Sequence, residues 1–332
     1  MKQIKDIDYI FLSTRIKAME SRLLNKERID RMLDAPTTED AAKVLTECGY
    51  AELSEVTADA LEAALDEQRQ RIIDDLRTSA PDPSLVDIFR IRYDYHNAKV
   101  LVKSEALGTD EDRLFLRGGR YAPEKLAEDY RREDLRSCSD VFRGAVGRAR
   151  ETIGSTGDPQ MADFVLDRAY FEELTALAAQ SGSRFLEGYA ALCIDVANLR
   201  SAVRVSRLDK GQEFLNMVVV PGGTVSARTI VTARGDELCN VFRTGPLAEA
   251  AAEGAARSAS GSGPLTEFER LCDDAVMKYL EGGHMIAFGV EPIVGYLYGC
   301  EAEITVIRTI MSGRMAGLDS DIIRQRLRRT YA

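Results

Sequence analysis

The chain has 332 residues, enough for two or three domains, with 30 % charged and 45 % hydrophobic residues, nine prolines and no tryptophan, the profile of a helix-rich globular protein. Its net charge of −10, from 44 Lys and Arg against 54 Asp and Glu, works against nucleic acid and against an anionic lipid surface, since both need clustered cations. Six cysteines at positions 48, 138, 193, 239, 272 and 300 form no CxxC pair, which excludes a cysteine-based zinc or redox motif and points to reduced thiols in a cytoplasmic setting.

Apolar residues recur at i, i+3, i+4 and i+7 along almost the whole chain, so an all-α fold is expected. A first helix is predicted over 4–24, with Ile7, Ile10, Phe11, Ile16, Met19, Leu23 and Leu24 on its buried face and Arg15, Lys17, Glu20 and Arg22 on its wet side. Thr37 and Thr57 read as N-caps of the next two helices. A long helix is predicted over 84–107, ended by Gly108. Further helices are expected over 123–150, 159–180 and 184–208, with Gly211 closing the last. After a break at Pro221-Gly222-Gly223 comes a stretch rich in Ala, Gly and Ser, from 250 to 263, which reads as a mobile loop. A helix starting at Pro292 runs to about Gly313. A final helix over 318–331 is capped by Asp319 or Ser320, with four arginines placed near its C-terminus to favour the helix dipole.

No segment is long and apolar enough to span a bilayer. The longest uncharged run, 214–227, has 14 residues and contains Pro221, Gly222 and Gly223. The N-terminal stretch MKQIKDIDYIFLSTRIK holds no apolar core of signal-peptide length.

One feature recurs. DYHNAKVLVKSEALG begins at Asp94, DVANLRSAVRVSRLDKG at Asp195 and CEAEITVIRTIMSGRMAG at Cys300, which aligns Asn97, Asn198 and Glu303 at intervals of 101 and 105. Asp and Asn ordinarily prefer caps and turns to helix interiors. Apolar neighbours travel with the polar residue, Leu101 matching Ala202 and Ile307, and Gly108, Gly211 and Gly317 follow at similar spacing. The pattern implies three helical units, 1–108, 109–211 and 212–332, in which a polar residue of each closing helix bonds a neighbouring segment.

Signatures of chemistry are missing. His96 and His284 stand far apart in unlike settings, and neither GxxxxGK[ST] nor GxSxG occurs. Gly261-Ser262-Gly263 reads as a linker. Asp273-Asp274 reads as exposed acids near a helix start, and Asp74-Asp75 and Glu172-Glu173 as solvated faces. No catalytic, cofactor or metal residue is expected.

STRIKAMESRLL at 13–24, DYHNAKVLVKS at 94–104, DVANLRSAVR at 195–204 and above all EPIVGYLYGCEAEITVIRTIMSGRMAGLDSDIIRQRLRRTY at 291–331 resemble the C subunit of the V/A-type rotary ATPases, called the d subunit in the eukaryotic vacuolar enzyme. The resemblance covers the chain in order. It implies three similar helical domains arranged as a funnel about a pseudo-threefold axis, seated on the cytoplasmic face of the membrane proteolipid ring and receiving the tip of the central shaft. It also implies a non-catalytic role in passing rotation between ring and head, with no cofactor and no direct insertion into lipid. Gly299, Cys300 and Arg314 depart from the family's usual residues. Arg15, Asp94, Asn97, Asp195, Asn198, Tyr296, Glu303 and Arg308 are the candidate interface or interdomain residues. The runner-up reading is a freestanding helical scaffold for another protein.

Overall fold

The computed structural model describes residues 5–109, 111–233 and 236–331. Every regular element among them is helical, so the fold is all-α. A 3₁₀ turn, Asp6–Tyr9, leads into α1 (Ile10–Glu20), then α2 (Lys26–Asp34), α3 (Thr38–Glu47), α4 (Ala58–Ser79) and α5 (Ser84–Leu107). There follow α6 (Pro123–Arg131), α7 (Asp140–Thr156), α8 (Pro159–Gln180) and α9 (Arg184–Arg207). The remainder is α10 (Gln212–Val218), α11 (Ala227–Thr232), α12 (Asp236–Phe242), α13 (Ala248–Ser260), α14 (Thr266–Glu281), α15 (Val290–Met315) and α16 (Ser320–Arg324).

Two compact units emerge. The first comprises Met1–Pro83, Leu199–Lys210 and Thr232–Ala332; the second comprises Ser84–Asn198 and Gly211–Val231. In the first, α15 brings Ile304, Ile307, Ile310 and Met311 against Met32 and Leu33 of α2, Leu45 of α3 and Leu61 and Leu65 of α4, so the two ends of the sequence share one core. In the second, the fully buried Phe142 of α7 receives Tyr95 of α5 edge-on at 5.4 Å. Burial of such aliphatic and aromatic side chains, at about 1.5–3 kcal/mol each, holds both units.

Local signals set several ends as expected. Thr37 accepts the Asp40 N–H and Thr57 the Ala60 N–H, each capping its helix. The bounds of α5 and α8 fall where the hydrophobic period and the flanking prolines put them.

Other expectations are corrected. The first helix is split, and α1 ends at Glu20; Ile4 lies outside the described residues. Ile16, Leu23 and Leu24 are buried as expected, but the 3₁₀ entry turns Tyr9, Leu12 and Ser13 inward ahead of them, which leaves Ile7, Ile10 and Phe11 exposed. Ser13 can be buried because its hydroxyl donates to the Gly289 carbonyl and accepts the Gly289 N–H. The helix expected over 123–150 breaks between α6 and α7, where Glu133 takes a left-handed φ of 57° and Asp134 N–H returns to the Asp129 carbonyl at 2.9 Å. Charged residues kept the helical period across that break, which hid it.

Gly211 does not close α9. Asp209 does, at φ 51°, while Gly211 is a non-left-handed residue preceding α10. The three long helices nonetheless end alike. Thr109 N–H reaches Ser104 O at 3.0 Å, Lys210 reaches Val205 at 3.1 Å and Leu318 reaches Gly313 at 2.9 Å, the six-to-one bond of a left-handed helix stop. The small-residue stretch from 250 is helix α13 rather than a loop. Its Gly254 lies where a Cβ would strike Val203 and Phe268, so smallness serves close packing. Helix α15 begins at Val290, two residues before Pro292. The last helix is only α16, and Arg328 and Arg329 beyond it pair with Asp273 and Glu281 of α14 instead of serving a helix end.

Candidate functional site

Helix α5 places Asp94 and Asn97 one turn apart on one face, both fully buried. The Asn97 amide donates to the Leu116 carbonyl and accepts the Leu116 N–H, each at 2.9 Å, a reciprocal pair that satisfies both backbone groups of one loop residue. Asp94 accepts the N–H groups of Arg120 at 2.8 Å and Tyr121 at 3.3 Å, and the Arg120 guanidinium at 2.6 Å. The loop approaches this closely because Gly118 adopts φ 102° and a Cβ on Gly119 would collide with the Asp94 carboxylate. Arg120 reaches on to Glu173 of α8 at 2.6 Å, and Tyr95 donates to the same carboxylate. Burial pushes the Asp94 carboxyl up to about 6, against the pull of Arg120 and the two N–H donors. Glu173 is therefore a buried counter-ion, not part of a solvated face.

Helix α9 repeats the device. Asn198 donates to the Val220 carbonyl and accepts its N–H, both at 2.8 Å. Asp195 accepts the N–H groups of Thr224 at 3.0 Å and Val225 at 3.2 Å, and the Thr224 hydroxyl. Gly222, at φ 108°, and Gly223, whose Cβ would meet Asp195, complete it. LRGGRY at 116–121 and VPGGTV at 220–225 are thus the same loop, 104 residues apart. Sequence reading took the second as a break and passed over the first; the paired glycines at matched distance behind each Asn were the available signal.

Helix α15 carries the third copy in altered form. Cys300 stands where Asp94 and Asp195 stand, and Glu303 takes the asparagine position. Glu303 accepts the Leu24 N–H and, at 2.7 Å, the Tyr50 hydroxyl. Desolvation pushes its carboxyl up to about 7. Tyr296, one turn before Cys300, is buried beside it, and burial holds its phenol protonated.

A second recurring set lies on the same helices. Lys99 and Lys103 pair with Asp167 and Asp163 of α8, at 2.5 and 2.9 Å. Arg200 and Arg204 pair with Asp273 and Glu269 of α14, at 2.6 Å each. On α15 the cation is Arg308, bidentate to Glu62 of α4 at 2.6 and 2.8 Å. The acids repeat as Glu62/Asp66, Asp163/Asp167 and Glu269/Asp273, at intervals of 101 and 106. These pairs are partly exposed, so each contributes little stability and mostly fixes register. Asp273 is thereby a mid-helix counter-ion rather than an exposed acid at a helix start. Arg15 is apart from this pattern, its guanidinium on Ser79 at 2.9 Å and on Asp75, both of α4.

The histidines belong to neither set. His96 Nε2 lies 3.0 Å from the Leu114 carbonyl, and His284 stacks on Tyr331 with ring centroids 4.0 Å apart. Among the described residues no group of His, Cys, Asp and Glu is arranged to hold a metal ion, and no helix is long and apolar enough to cross a membrane.

The sequence profile described as ATP synthase (C/AC39) subunit matches residues 12–326, almost the whole chain. The chain belongs to the ATP synthase (C/AC39) subunit family. Among curated relatives, the C subunit of the V-type sodium ATPase of Enterococcus hirae is 23 % identical over 98 % of this chain and 99 % of its own length. The C subunit of the A-type ATP synthase of Haloquadratum walsbyi is 25 % identical over 95 % and 96 %, and that of the V-type ATP synthase of Deinococcus radiodurans 24 % over 96 % and 90 %.

Proposed function

We propose that this chain is a non-catalytic central-stalk subunit of a V/A-type rotary ATPase, coupling the central shaft to the membrane proteolipid ring during proton or sodium transport. It would sit peripherally on the cytoplasmic face of the membrane. The observation that carries this reading is the match over residues 12–326 to the C/AC39 family, together with relatives named as the C subunit of such enzymes.

The clasps support it. If the chain is divided into the units 1–108, 109–211 and 212–332, Asn97 of the first grips Leu116 of the second and Asn198 of the second grips Val220 of the third. Glu303 of the third grips Leu24 of the first. That closed order is what three similar domains around a pseudo-threefold axis require, and we propose that arrangement, a funnel, for this chain. A part that transmits torque needs such buried polar locks, because fully satisfied networks rigidify the elements they join. Arg308, bidentate to Glu62, belongs to the same proposal as a link between the third unit and the first, while Arg15 and Tyr296 brace the inside of the first and third units respectively.

Co-purification tests it. The chain should co-purify with the shaft subunits and with the proteolipid ring, and show no ATP hydrolysis alone. Membranes lacking it should retain hydrolysis by the head while losing ion transport. Unaffected transport, together with a monomer that has no affinity for shaft or ring, would overturn the proposal and favour a freestanding scaffold.

A further inference from the structure

The third clasp differs from the others in electrical character. Asn97 and Asn198 are neutral, and the buried acid beside Asn97 has the Arg120 guanidinium in contact. Glu303 is 4 % exposed, and it is served by one backbone N–H and one phenol. The cation that acts on it electrostatically, Arg28 of α2, spends its guanidinium on the Leu23 carbonyl at 2.6 Å and the Ser21 carbonyl at 3.3 Å. From α4, Arg71 donates to the Gly49 carbonyl and Gln68, and Asp75 is held by Arg15. Arg22, after α1, is exposed and lines the same cleft of roughly 410 Å³ as Glu303, a cleft that gives protons a route to the carboxyl. The remaining titratable neighbours, Cys48, Tyr50, Tyr296 and Cys300, are all pushed up by burial and stay uncharged.

We propose that Glu303 makes the docking of the α1–α2 turn, 21–25, onto α15 sensitive to protons: the neutral carboxyl holds the turn and the ionised carboxylate loosens it. Protonation need not break either bond. One oxygen continues to accept the Leu24 N–H, while the other, once protonated, donates to the Tyr50 oxygen as that hydroxyl reverses its role. Ionisation instead leaves a buried charge that no cation among the described residues contacts.

The sign follows from linkage. An ordinary glutamate near 4.5 is raised here to about 7, so between those pH values the docked form binds more protons than the released one. Docking is strongest below the lower value, weakens as pH rises through the window and stays weakened above it, by up to about 300-fold in the docking equilibrium. The inference concerns the isolated chain and does not rest on the rotary role.

Amide hydrogen exchange on the isolated chain tests it, with rates corrected for intrinsic pH dependence. From pH 6 to pH 8 the protection of the Leu24 amide is expected to fall about tenfold. That of Val220, held by the neutral Asn198, is expected to stay constant in the same sample. Glu303→Gln, whose amide keeps a carbonyl for Leu24 and a donor for Tyr50, should abolish the fall. Should that variant not fold, Tyr50→Phe removes a donor that favours the carboxylate and should move the transition to higher pH. Constant Leu24 protection in the wild type, an equal fall in Glu303→Gln, or an unmoved transition in Tyr50→Phe would overturn the proposal.

Discussion

Replacing Asn198 by alanine removes both ends of one reciprocal bond. Asn198 is fully buried and Val220 is 4 % exposed, so neither the Val220 N–H nor its carbonyl can turn to water when the amide is gone. Each orphaned group costs about 1–3 kcal/mol, which puts the variant at roughly 2–6 kcal/mol below wild type, a large part of the stability of an ordinary domain. Asn97→Ala removes bonds of nearly the same length, but Leu116 is only half-buried, so water replaces part of what is lost and about 1–2 kcal/mol is expected. Urea unfolding followed by helical circular dichroism, at equal protein concentration, measures both. Equal losses in the two variants, or Asn198→Ala within about 0.5 kcal/mol of wild type, would refute the argument that burial of the bracketed loop residue decides the cost.

Arg120→Met leaves Asp94 and Glu173 buried without their shared cation, and should cost about 3–5 kcal/mol at pH 8. Because Asp94 already lies near 6 with Arg120 present, losing the cation raises it further, so the deficit should shrink as pH falls toward 5; a pH-independent deficit in urea would contradict this. Gly223→Ala drives a Cβ into Asp195 and should cost about 2–4 kcal/mol by displacing the loop, whereas Gly211→Ala, with open space around it, should melt near wild type.

Much of the secondary structure was legible because it is set locally. Thr37, Thr57 and the proline-flanked helices α5 and α8 follow from cap chemistry and the 3.6-residue period, which need only neighbours in sequence. The start of the first helix escaped for the same reason: Ile7/Ile10/Phe11 and Tyr9/Leu12 both lead into Ile16 with a helical period, and Ser13 looked polar until Gly289 satisfied it. The Ala/Gly/Ser stretch was misread because small residues mark both linkers and tight helix contacts, and only Phe268 and Val203 against Gly254 tell which.

The sequence by itself determined the three long closing helices, their polar residues at matched spacing and the family, since each is written as a period or a motif. What those residues hold was decided by tertiary structure alone. Asn97 finds Leu116 19 positions away, Asn198 finds Val220 22 away and Glu303 finds Leu24 279 away. A backbone N–H or carbonyl in a loop carries no residue-type signature, so a partner of that kind leaves no mark on the chain until packing brings it within 3 Å.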